Sequence, residues 1–224
     1  MPARMSMDVS TFLFLIDPLC GWCYAAMPQV RALRAHVGTA RFELMPTGLF
    51  TGAGARPMTR SFRDYAWSQD QRIAQMTSQP FSQAYYENVL DNEATSLDSG
   101  PASLLLALAE LVKPGIGFDL LVALQQARFV EGLDLTDRDV LVAVAQAAGI
   151  AAPIIKAAFK DADQMALAVD RITAGRRHLS RHGLERVPAL IQHKGAASRI
   201  IANNYLFRSA ADLIAYCDRA FAAE

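Results

Sequence analysis

The feature that most constrains the fold is an apolar run, Phe12-Leu13-Phe14-Leu15-Ile16, that stops at Asp17-Pro18 and delivers the chain into Cys20-Gly21-Trp22-Cys23. A continuous run of aromatic and branched apolar residues suits a strand covered on both faces. From Gly21 to about His36 the pattern changes: Trp22, Ala25, Ala26, Val30 and Leu33 recur at helical spacing, and Gly38 stands where a helix stops. Pro28 falls inside this helix, so a bend is expected there. The two cysteines therefore sit at a strand-to-helix junction, where they can close a small disulfide ring with little backbone movement.

That junction has a chemical consequence. Unpaired N–H groups and the positive end of the macrodipole stabilise an anion at a helix start, and the anion here is the Cys20 thiolate. In Cys-x-x-Cys motifs so placed, thiol pKa values fall from about 8.5 to roughly 3.5–7.5. Cys20 is the expected nucleophile. Cys23, one turn further in, is expected to resolve the mixed disulfide by attacking Cys20 and releasing the substrate.

The 224-residue chain is 52% hydrophobic and 20% charged, too apolar for disorder and long enough for one large domain or a domain with an insertion. Lys+Arg and Asp+Glu both number 22, so no basic excess favours phosphate backbones, and nucleic acid is not an expected partner. Residues 1–10 carry a single Arg and no apolar segment, and the run that follows is too short for a signal peptide or a spanning helix. A cytoplasmic protein with no membrane partner is expected. Three cysteines are too few for a structural disulfide framework, and in a reducing compartment a Cys-x-x-Cys is usually catalytic or metal-binding.

Further along, Arg41-Phe42-Glu43-Leu44-Met45 alternates polar with apolar and predicts a second strand, closing a right-handed β-α-β unit. Gly48, Gly52, Gly54 and Pro57 then mark a loop leading away from the sheet. Between about Thr59 and His182 the periodicity is helical. Leu104, Leu105, Leu108, Leu111 and Val112 share a face of a helix opened by Pro101 and stopped at Pro114-Gly115. Leu120, Leu121 and Leu124 begin another that ends near Gly132. Thr136 or Asp137 caps a third, with Val140, Leu141, Val144 and Ala148, closed by Gly149. Residues 153–160 and 163–179 fit two more. Strand character returns at Arg186-Val187-Pro188-Ala189-Leu190-Ile191, and Ser198-Arg199-Ile200-Ile201 completes a hairpin across the Gly195 turn. A last helix presents Leu213, Ile214, Cys217 and Phe221 to the sheet. The predicted organisation is α/β: a discontinuous domain of residues 1–55 and 183–224, with an all-helical domain, 56–182, inserted between the second strand and the Val-Pro strand.

In this order of elements the chain resembles the thioredoxin fold of the DsbA-like superfamily, and within it the cytosolic FrnE-like predicted protein-disulfide isomerases. Three stretches carry the resemblance: Asp17-Pro18-Leu19-Cys20-Gly21-Trp22-Cys23, Ala127-Arg128-Phe129-Val130-Glu131-Gly132-Leu133-Asp134-Leu135, and Gly183-Leu184-Glu185-Arg186-Val187-Pro188. The resemblance implies a protein-disulfide oxidoreductase or isomerase with no bound cofactor beyond the Cys20–Cys23 dithiol. It implies that Pro188 is a cis-proline facing Cys20, and that Val187 presents its backbone, with Trp22 alongside, to an extended substrate segment by β-augmentation. A protein or small molecule carrying a thiol or disulfide is the implied partner, with glutathione a candidate co-substrate. Gly21-Trp22 stands where the strong periplasmic oxidant of this superfamily has Pro-His, so no motif histidine is available to Cys20. A reduction potential somewhere within roughly −270 to −120 mV is expected.

The same residues admit other readings. Cys20 and Cys23 with His178 and His182, one helical turn apart, have the composition of a zinc site, but zinc modules keep their ligand pairs far closer in sequence. A static metal-binding or docking module is the corresponding non-enzymatic function. A glutathione-dependent transferase or isomerase, of the kappa-class or 2-hydroxychromene-2-carboxylate type, shares the architecture but usually has serine in place of Cys20. The cluster Arg176-Arg177-His178-Arg181-His182 is expected to be a solvated face, with attraction of glutathione carboxylates as the functional alternative. Asp17 is expected either to cap the turn or to tune the thiols. Cys217 is expected to be a small buried hydrophobe. The loop of Gly48 to Gly54 lacks the Gly-Lys-Ser/Thr of a phosphate cradle. Phe62, Tyr65, Trp67, Met76, Phe81, Tyr85 and Tyr86 are expected mainly in the core, with an adaptable apolar cleft as the alternative.

Overall fold

The computed structural model describes residues 9–219 and 221; residues 1–8, on which part of the expectation about targeting rests, lie outside it. In chain order, β1 (Thr11–Ile16) leads into α1 (Gly21–Val37) and β2 (Phe42–Pro46). A two-residue ladder of β3 (Arg56–Pro57) with β4 (Ser96–Leu97) brackets α2 (Arg60–Thr77) and α3 (Gln83–Tyr85), which runs into a π-helical turn at Tyr86–Leu90. There follow α4 (Gly100–Val112), α5 (Gly117–Phe129), α6 (Arg138–Ala147), α7 (Ala152–Ala158) and α8 (Ala162–Arg181). The sheet resumes with β5 (Ala189–Lys194) and β6 (Ala197–Ile201), before α9 (Asn203–Leu206) and α10 (Ala210–Asp218).

The four long strands lie in the order β2-β1-β5-β6, with β1 parallel to β2 and antiparallel to β5. Central placement explains why β1 is apolar at every turn of its pleat: Phe14, Leu15 and Ile16 are wholly buried. Leu15 pairs with Ala189, so the end of β1 that feeds the dithiol lies beside the start of β5, where Pro188 stands. The β3–β4 ladder was not expected, because two residues are too few to display an alternation.

Helix α4 is apolar all round, and Ala102 and Leu105 to Ala109 are buried on every side by β2 and the helices from α5 to α8. One continuous apolar core joins the sheet, α1 and these helices. Helix α1 runs through Pro28 without interruption. Proline lacks the N–H that would have bonded the Tyr24 carbonyl, and the side chain of Gln79, just past α2, donates Nε2–H to that oxygen at 3.0 Å. The last helix buries Leu213 and Cys217 as expected, but it stops at Asp218; Phe221 lies beyond it, its ring 4.4 Å from the Arg199 guanidinium. Among the described residues no helix is long and apolar enough to cross a membrane.

Candidate active site

The turn between β1 and α1 is built on Asp17. Its carbonyl accepts the Cys20 N–H at 3.1 Å, and its Oδ1 accepts the Leu19 N–H at 2.9 Å. Its Oδ2 accepts the Ser99 hydroxyl at 2.5 Å and the Phe50 N–H at 3.2 Å. Asp17 therefore caps the turn, and its carboxyl is also wholly buried, with burial pushing its pKa up against the pull of those donors. Ser99 precedes α4 and has the composition of an N-cap, yet its hydroxyl makes no cap bond and is directed to Asp17. The loop that supplies Phe50 is braced by Arg176 of α8, whose Nε donates to the Thr47 carbonyl at 2.8 Å and whose Nη2 donates to the Gly48 carbonyl at 2.6 Å. This arginine is exposed, as expected of the basic face, and its guanidinium also braces the loop backbone.

Cys20 occupies the N-cap of α1 and Cys23 lies one turn in; both are free thiols. Cys20 is 8% exposed and Cys23 0%, so only the first is open to attack or attacking. The Cys20 thiol points at the Val187 carbonyl, with Sγ and O 3.7 Å apart, and the Val187–Pro188 peptide bond is cis. Burial pushes the Cys23 thiol well above its ordinary pKa, and the hydrogen bond and charge of Cys20 add to the effect. Trp22 packs edge-on against Phe207 at 4.9 Å between ring centres.

A cavity of about 270 Å³ opens beside Cys20, with Trp22, Met58, Phe62, Asp70 and Arg128 among its walls. Helix α2 crosses the head of α1 so closely that a Cβ on Gly21 would lie 2.6 Å from Asp70 Oδ1, which explains why the first residue between the cysteines is glycine. Asp70 is buried, accepts the Tyr85 hydroxyl at 3.0 Å, and has its pKa pushed up to about 7, chiefly by burial, with Tyr85 and the charge of Arg128 pulling it down. Behind the dithiol, Tyr24 stacks on Phe129 at 5.0 Å and meets Phe81 edge-on at 5.5 Å. The aromatic stretch divides: Phe62 and Tyr65 line the cavity, Phe81 is core, and Tyr85 is buried and forms part of the cavity wall. A larger groove, about 640 Å³, is lined by residues such as Arg34, Glu110 and Arg171 and by none of the residues singled out in the sequence as a site.

The structure gathers Asp17, Cys20, Trp22, Cys23, Val187 and Pro188 at one end of the sheet. It does not bring His178 and His182 to the cysteines. Their rings lie 6.5 Å apart and His182 faces His193 at 6.4 Å, and no three His, Cys, Asp or Glu side chains among the described residues converge to hold a metal. Four contributors escaped the sequence reading. Asp70 lies in a polar run with nothing to mark it, Gln79 follows the end of a helix, and Ser99 has the composition of a cap. Arg128 lies inside one of the three motif stretches, and that membership was its only signal.

A sheet of this order, entered through a dithiol at a helix start and faced by a Val-Pro turn, defines a protein of the thioredoxin fold, in the DsbA-like arrangement with a large helical insertion. The chain belongs to the thioredoxin family, whose model matches residues 12–174. Among solved structures it is similar to the cytosolic disulfide reductase DsbM from Pseudomonas aeruginosa, at 26% identity and a TM-score of 0.79, over 92% of this chain and 96% of that one. It is likewise similar to that reductase solved with glutathione, at 27% identity and a TM-score of 0.75, over the same shares. Among curated proteins it is 27% identical over 153 residues, 67% of this chain, to the ClpXP adapter protein SpxH of Shouchella clausii. The match spans 47% of that relative's length.

Proposed function

We propose that this protein is a cytosolic thiol–disulfide oxidoreductase of the protein-disulfide reductase or isomerase type, with Cys20 as nucleophile and Cys23 as resolving thiol. The observation that carries the reading is the pairing of a slightly exposed Cys20 at the head of α1 with a fully buried Cys23, the former 3.7 Å from the carbonyl that precedes Pro188. In this reading the Val187 backbone pairs with an extended substrate segment, and Trp22, in the wall of the cavity beside Cys20, contacts the substrate. The raised Cys23 thiol supports electron donation, because a dithiol whose buried member holds its proton tightly forms a disulfide that is hard to reduce. The match to a cytosolic disulfide reductase supports both the compartment and the direction, and the glutathione complex of that reductase supports glutathione as co-substrate.

The test is the Cys20–Cys23 equilibrium in a glutathione redox buffer, followed by Trp22 fluorescence, together with reduction of a disulfide-bonded protein. The expected result is a reversible two-electron transition toward the reducing end of the roughly −270 to −120 mV range. Cys20→Ser is expected to abolish turnover, and Cys23→Ser to accumulate a mixed disulfide at Cys20. Undiminished turnover in Cys20→Ser overturns the assignment.

A further inference from the structure

The cavity beside Cys20 holds a buried cation that the dithiol chemistry described so far does not use. Arg128 is 1% exposed, and its Nε and Nη1 have no hydrogen-bond partner among the described residues. Its guanidinium lies 5.5 Å from the Tyr85 ring centre and 5.9 Å from that of Phe129. Tyr85 and Asp70 are its polar neighbours, and the Asp70 carboxyl already takes the Tyr85 hydroxyl. A guanidinium held out of water with two nitrogens unbonded is costly, and a bound carboxylate is the group that relieves it best, through paired charge-assisted hydrogen bonds. A second guanidinium, that of Arg56, lines the same cavity from an exposed position and stacks 5.2 Å above the Phe62 ring. At about 270 Å³ the space lies just below the usual range for small-molecule pockets, which suits one half of an amino-acid or short-peptide disulfide.

We infer that this cavity is the binding site for a small disulfide bearing a carboxylate, with Arg128 as the residue that selects the carboxylate and Cys20 as the one that attacks the sulfur. The inference rests on the dithiol reading above. The Cys20 thiolate attacks one sulfur of RS–SR, the ligand's S–S bond breaks, a Cys20–SR bond forms, and RS⁻ leaves. Cys23 then gives up its proton and attacks Cys20 Sγ, releasing the second RS⁻. The ligand is reduced by two electrons to two thiols, the protein is oxidised to the Cys20–Cys23 disulfide, and an external thiol reductant restores the dithiol.

The experiment uses pre-reduced protein in single turnover, followed by Trp22 fluorescence, with glutathione disulfide, its carboxyl-esterified form and bis(2-hydroxyethyl) disulfide as probes. The unaltered protein is expected to react at least about tenfold faster with glutathione disulfide than with its ester. In Arg128→Met that preference is expected to disappear, with a loss of about ten- to a hundredfold on glutathione disulfide, the scale of hydrogen bonds to a charged group. The rate on the hydroxyethyl probe, which carries no carboxylate, is expected to fall much less than the rate on glutathione disulfide. Equal rates on the free and esterified probes in the unaltered protein, which needs no variant to fold, overturn the inference while leaving the dithiol reading standing. An equal loss on every probe in Arg128→Met assigns the residue to structure and likewise overturns it. Failure of the unaltered protein to react with any of the three overturns both.

Discussion

Replacing Asp70 by Asn isolates the cost of the buried carboxyl beneath the cavity. Burial moves its pKa from 3.8 to about 7, and at 1.36 kcal/mol per pKa unit the gap corresponds to about 4 kcal/mol. The folded state holds this proton more tightly than the unfolded chain does. Stability is therefore unaffected below about pH 4, falls as pH rises through the window from about 4 to about 7, and carries the full penalty above it. Asn keeps an acceptor for the Tyr85 hydroxyl and stays neutral throughout. Urea unfolding of the reduced protein and of Asp70→Asn, compared from pH 5 to pH 8.5, is expected to show the variant gaining on the parent by about 2–3 kcal/mol across that range, following from the same conversion. Constant differences between carboxyl and carboxamide cancel in this comparison, as does the titration of Asp17, which both proteins share. A stability difference that does not change with pH would refute the reasoning, because it would mean that Asp70 ionises as easily in the folded protein as in the unfolded one.

Two further substitutions probe how the helical insertion grips α1. Gln79→Ala leaves the Tyr24 carbonyl without the donor that compensates for Pro28, and a loss of about 1–3 kcal/mol is expected in denaturant unfolding; a change within about 0.5 kcal/mol would show that solvent replaces the amide freely. Gly21→Ala would gain up to about 1 kcal/mol from helix propensity alone. Its Cβ would meet Asp70 Oδ1 at 2.6 Å, so the expected sign is the opposite, a loss of about 1–3 kcal/mol from overpacking, with a weaker pH dependence of stability as Asp70 is displaced. Thermal or urea unfolding that finds Gly21→Ala more stable at pH 8 contradicts the close approach of α2 to the motif.

The parts of the fold that were legible in the sequence are those whose signal is local. The apolar run of β1, the stop at Asp17-Pro18, the proline at the start of α4 and the spacing of Leu120, Leu121 and Leu124 each announce themselves within a few residues. The dithiol and the Val187-Pro188 turn were legible too, because their chemistry is unusual wherever it stands. What stayed hidden were residues whose role depends on a partner far away in sequence. Ser99 has the same composition whether it caps its own helix or reaches Asp17, 82 positions earlier. Asp70 and Gln79 look like ordinary polar positions of a surface helix, since nothing in their neighbours shows that α2 crosses the head of α1. Arg176 lies on the basic surface its neighbours indicate, but its guanidinium also reaches the carbonyls of Thr47 and Gly48, a contact no periodicity encodes.

Asp70 and Gln79 meet the first two turns of α1, while Ser99 and Arg176 brace the turn before it and the loop packed on that turn, and this bears on what the insertion is for. The sheet alone could hold Cys20 beside Val187, since β1 and β5 are neighbours and their paired ends set the distance. Beside Cys23, Tyr24 stacks on Phe129 of α5 and meets Phe81 ahead of α3, so the insertion closes over this part of α1. It also adds Ser99 to the donors of Asp17, whose charge is one of the influences that raise the Cys23 thiol. On the function proposed above, a thiol that resists ionisation is a poor leaving group, which favours the closed disulfide and supports electron donation by the dithiol. In this chain, then, the helical insertion supplies a donor to the turn that carries the dithiol as well as walls to the cavity beside it.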